Sequence, residues 1–138
     1  MLYQNIISAI GLIGIGAIVK SIIDSFLKKR EAKSQAHHEF MTTRYKPIIL
    51  LANAMLDFEK HKADLRKHGR DFSDKAQLID ELKTERNNMI LFASDQVIRS
   101  LTTFITDHTE NNYYELAIAM RKDLYGLSTK LRPSSLKL

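Results

Sequence analysis

The stretch LYQNIISAIGLIGIGAIVKSIIDSFL, residues 2–27, decides how the rest of the chain is read. Residues 1–19 carry no charged side chain, and positions 6–19 are all apolar or small. Crossing the hydrocarbon core of a bilayer takes about 20 predominantly apolar residues. Continued through SIIDSFL, the run reaches that length, and residues 1–27 are expected to form one transmembrane helix. Lys20 and Asp24 interrupt its second half four residues apart, where they can pair along one helical face or the lysine can snorkel. The cluster Lys28, Lys29, Arg30 follows, with Lys33 close behind. Basic residues beside a span are retained in the cytoplasm. The expected topology is therefore single-pass in the inner (cell) membrane, with the N-terminus outside and the C-terminal part cytoplasmic. The same four cations are the expected contacts to lipid headgroups.

Two other readings of this stretch are weaker. A secretory signal peptide carries its positive charge ahead of the apolar run and a small-residue cleavage site behind it. Here the charge follows the run and no such site closes it. A buried core helix accounts for the apolar residues but not for the basic cluster at their end.

Read in steps of three and four, one face of the span runs Gln4, Ile7, Gly11, Gly14, Ile18, Ser21, Ser25. Five of these seven positions are small or polar. Within lipid, small residues let helices approach closely and polar ones bond across the interface. The seam is the expected surface of self-association. In a ring of such helices, Gln4, Ser8, Lys20 and Asp24 become the candidate pore-lining or gating positions, since polar groups inside a membrane seek water or one another.

Outside the span there is room for one small domain. Cysteine is absent, so no disulfide or thiolate metal site exists. The net charge of +5 is concentrated between residues 28 and 46, where six basic residues face two acidic ones. That placement favours anionic headgroups over a dedicated nucleic-acid surface, and no RNA-binding motif accompanies it.

The segment KKREAKSQAHHEFMTTRYK, residues 28–46, is polar and free of glycine and proline. It is expected to carry the transmembrane helix on as a stalk, with a boundary or kink at Pro47, because the residue before proline is pushed away from helical geometry. A helix is predicted from Pro47 to a stop at Gly69, with Ile48, Leu51, Ala52, Met55, Leu56 and Leu65 inward. A second, capped by Ser73 beside Asp74, is predicted to run unbroken over 74–106, with Asn87 and Asn88 as a bend and the apolar run MILFA, residues 89–93, fully buried. A third, YYELAIAMRKDL, is predicted to end at Gly126, and residues 127–138 form a tail. No strand pattern appears. The fold class is all-α: one transmembrane helix (1–27), a basic stalk (28–46) and a small antiparallel cytosolic bundle (47–126).

Little in the chain points to chemistry. His61 and His68 share a helix face with Asp57 and Asp64, but lysines crowd that end and a solvated charged face is the favoured reading. His37 and His38 read as stalk surface residues. No phosphate loop, dinucleotide fingerprint, nucleophile elbow or HExxH pattern is present. A pairing of Glu81 or Glu85 with Arg121 would fix helix register. No cofactor and no metal is expected.

REAKSQAH, with Arg30 and His37, resembles the arginine–histidine spacing of small helical ribonucleases of the HEPN class, although Glu31 departs from the polar residue usual after that arginine. The order of parts (GLIGIGAIVKSIIDSFL as span, a basic stalk, then a small helical bundle) resembles the membrane accessory proteins of type VI-B CRISPR systems. The resemblance implies a HEPN-like cytosolic domain and a ring-shaped, membrane-embedded homo-oligomer that enhances anti-phage defence. Three functions follow as expectations. The first is a pore-like or membrane-perturbing homo-oligomer. The second is a membrane-tethered adaptor that recruits a cytosolic partner protein, and the third a tethered ribonuclease using Arg30 and His37 as its weak catalytic candidates.

Overall fold

The computed structural model describes residues 2–126 and 130–136, with residues 2–17 described by their backbone alone. Every regular element is helical: α1 (Leu2–Leu56), α2 (Phe58–Lys67), α3 (Lys75–Met89), α4 (Asp95–Thr106) and α5 (Glu110–Tyr125), then a short 3₁₀ turn at Pro133–Ser135. The chain divides into two compact units, residues 1–39 and residues 40–138, and α1 contributes to both.

The expected span, the expected stalk and the start of the first predicted bundle helix thus fall in one uninterrupted helix, and Pro47 lies inside it. This corrects the expected boundary. A proline inside a helix removes one backbone hydrogen bond and crowds the preceding turn, at a cost of about 3 kcal/mol. Here packing on both sides of it opposes that cost. Met41 and Tyr45 before Pro47 and Ile48, Leu51, Ala52 and Met55 after it are all buried, at steps of three and four along one face. Ending the helix at residue 46 would break that face in two.

The break falls ten residues later. Asp57 leaves helical geometry and accepts a hydrogen bond from the Lys60 backbone N–H at 3.3 Å, capping α2. The predicted helix over 47–69 is therefore two helices. Its stop is as expected in kind: Gly69 has φ 74, the Arg70 N–H donates to the Leu65 carbonyl at 2.9 Å, and the Gly69 N–H donates to Arg66 at 3.0 Å. These two bonds form a Schellman cap, whose left-handed residue glycine adopts without a Cβ penalty.

The predicted unbroken helix over 74–106 is likewise two, α3 and α4. Asp74, not Ser73, caps α3, accepting from the Gln77 N–H at 2.9 Å. Asn87 and Asn88 lie within α3. The interruption comes at residues 90–94, and Ser94 caps α4. In consequence the MILFA run is not uniformly buried. Met89 is in the core, Phe92 and Ala93 are half-buried, and Ile90 and Leu91 are exposed at 61% and 88%. Turning the chain here brings α3 back against α4, so Leu78, Leu82, Met89, Val97, Leu101 and Phe104 share one core with α1 and with Leu116, Ala119 and Met120 of α5.

α4 and α5 run antiparallel. At one end Phe104 packs against Tyr113, with ring centroids 6.3 Å apart, and at the other the Ser94 N–H donates to Asp123 at 3.2 Å. α5 ends at Gly126, φ 62, as the sequence predicts. Of the tail, residues 127–129 and 137–138 lie outside the described residues, and the 3₁₀ turn rests on α5.

Candidate membrane interface

In the first unit, residues 18–37 of α1 are all exposed. Their arrangement is two-sided. At about 100° per residue, Ile18, Ile22, Phe26 and Val19, Ile23, Leu27 form two adjacent rows covering half the helix surface. Ile18, Ile22 and Phe26 are 62%, 63% and 67% exposed. Lys20, Ser21, Asp24, Ser25 and Lys28 fill the other half and, with Lys29, line one shallow groove. Of the expected seam, Ser21 and Ser25 lie on this polar half and Ile18 at its border. Lys20 and Asp24 stand beside them, exposed, with no ion pair joining the two among the described residues.

The side chains of Gln4, Ile7, Ser8, Gly11 and Gly14, the remaining seam and lining candidates, lie outside the described residues; the backbone there is helical. Among the described residues, no helix is long and apolar enough to cross a membrane.

Lys28, Lys29, Arg30 and Lys33 follow the apolar rows, all exposed. Arg30 and His37 sit on this same exposed helix, and their unit contains no second element to form a cleft around them. His61 lies 3.5 Å from the Asn53 amide, and among the described residues no group of three metal-ligating side chains occurs. Glu81 pairs with Arg70 at 3.2 Å and not with Arg121, a correction to the expected register contact.

The bundle has a polar node that its sequence does not disclose. The Tyr45 hydroxyl of α1 donates to the Asp123 carboxylate of α5, and the same carboxylate oxygen accepts the Ser94 N–H at the start of α4. One side chain thus joins three helices. Burial, and then the hydrogen bond and negative charge of Asp123, push the Tyr45 phenol well above the usual tyrosine range, so it remains a donor. Asp123 also places negative charge at the N-terminus of α4, where the helix dipole favours it. Tyr45 and Asp123 are 78 positions apart, and no spacing rule links them.

Comparison with known proteins adds no identity: no family model, curated protein or solved structure matches the chain.

Proposed function

We propose that this chain is a single-pass membrane protein that self-assembles into a pore-like or membrane-perturbing homo-oligomer, with a HEPN-like bundle on the cytoplasmic side and a role in anti-phage defence. The observation that carries this reading is the two-sided surface of residues 18–29. Its apolar rows continue the charge-free run of residues 1–19, its polar half continues the small-residue seam, and a basic cluster closes both. A helix with one face for lipid and one polar face is the pattern of a segment that shares water or polar contacts with copies of itself. The defence role rests on the architectural resemblance alone.

The membrane part of this reading is tested by alkaline carbonate extraction of membranes carrying the full chain, with cysteines introduced singly at residue 3 and residue 130 for labelling from either side. The expected result is retention in the membrane, with residue 3 labelled from outside and residue 130 only after permeabilisation. Release by carbonate contradicts it.

A second reading is favoured by one specific observation. Ile90 and Leu91 stand exposed at the α3–α4 turn, suited to docking a protein partner, as a tethered adaptor would. Leu91→Glu would then abolish partner capture while leaving assembly intact.

A further inference from the structure

Within the bundle unit, one groove gathers basic side chains from two separate elements. α1 supplies Thr42, Thr43 and Lys46 at helical spacing, and the turn after α2 supplies His68 and Arg70. The Schellman cap creates this arrangement. The positive φ of Gly69 reverses the chain between His68 and Arg70, and a Cβ at Gly69 would meet open space. Pro47 and Leu50 form the apolar side of the groove, whose volume is about 580 Å³.

No carboxylate lines the groove. Lys46 and His68 have no carboxylate partner among the described residues, while Arg70 is steadied from behind by Glu81 at 3.2 Å, with its side chain 26% exposed. Ammonium, guanidinium and imidazole N–H donors along one groove match the oxygens of a phosphate group, whose charge strengthens each hydrogen bond.

We propose that this groove binds a phosphate monoester. The phosphate lies against Lys46, His68 and Arg70, and the organic group lies along Pro47 and Leu50. The source is either a lipid headgroup of the phosphatidic acid type or a soluble ester. The site does not depend on the membrane reading, and its failure would leave that reading untouched.

The experiment is titration of the full chain, in phosphatidylcholine nanodiscs, with phenyl phosphate at constant ionic strength. Saturable binding is expected, weakened about tenfold or more by Lys46→Gln or His68→Gln, since a hydrogen bond to a charged group contributes about 1.5–3 kcal/mol. Both residues are exposed, so both variants keep the fold. Glu81→Gln frees the Arg70 guanidinium and should tighten binding. Arg99→Gln, at an exposed position on α4, should leave it unchanged. Repeating the titration in nanodiscs containing phosphatidic acid separates the sources: competition identifies the lipid, and an unchanged curve identifies a soluble ester. Non-saturable binding, or equal binding by Lys46→Gln and the wild type, overturns the proposal.

Discussion

Two stretches of α1 carry apolar rows and treat them oppositely. From Met41 to Met55 the face at steps of three and four is buried against α2–α5, and at Ile48, Leu51 and Ala52 nothing remains exposed. From Ile18 to Leu27 the apolar rows are covered by nothing in the described chain. Burial removes about 25 cal/mol per Å² of apolar surface from water. The bundle half gains that stabilisation within the chain. In the first half nothing in the described chain supplies it, and this difference is the physical basis of the proposed function.

The comparison is broken most severely in the core. Phe104 is fully buried at the junction of α4 and α5, and Phe104→Ala should destabilise the bundle by about 3–5 kcal/mol in chemical denaturation. Ile22→Ala, a deletion of comparable kind on the other half, should shift that transition by less than about 0.5 kcal/mol. Its effect should appear instead as weaker membrane retention. Equal losses at both positions would show that the apolar rows of 18–27 are part of the bundle's core.

The polar node gives the next effect. Asp123→Ala leaves the Tyr45 hydroxyl and the Ser94 N–H without their acceptor, and the bundle should lose about 1–3 kcal/mol. Tyr45→Phe removes only one donor and should cost less, on the order of 1 kcal/mol, by the same denaturation measurement. If the two cost the same, the node contributes through the Tyr45 hydroxyl alone and the Ser94 N–H adds nothing.

Smaller still is the cap. Gly126 has φ 62, and Gly126→Ala should cost on the order of 1 kcal/mol, through strain alone because no atom lies within 4 Å of an added Cβ. On the surface, Leu91→Glu should change stability by less than about 0.5 kcal/mol despite sitting in an apolar run, because Leu91 is 88% exposed. A large loss there would mean that the α3–α4 turn is buried.

Much of the bundle was legible because periodicity survives local uncertainty. The sequence places Leu78, Leu82, Met89, Phe92, Val97, Leu101, Phe104 and Ile105 on or near one face; all are buried except Phe92 and Ile105, which are half-buried against the core. That held although the helix carrying them is two helices, because each keeps its own apolar face. The connections were less legible. MILFA contains no breaker, so the turn at 90–94 shows in sequence only as Ser94, a cap residue inside an apparently continuous pattern. Pro47 gave the opposite error, a strong local breaker overruled by packing on both sides of it. Of the candidate sites, the two-sided character of 18–29 was partly visible in Lys20, Asp24 and the serines. The Tyr45–Asp123–Ser94 node was not, since it exists only after three helices meet. Nor was the Lys46–His68–Arg70 groove, which depends on where the chain reverses at Gly69.

The central claim, that the uncovered half of α1 is covered by copies of itself in a membrane, is tested most directly by the mass of the full chain in nanodiscs, measured by light scattering. The expected result is a discrete assembly of about six or more chains, enough helices to enclose a path, that collapses to smaller species with Gly11→Leu and Gly14→Leu. A monomer or dimer, unchanged by those substitutions, would contradict it.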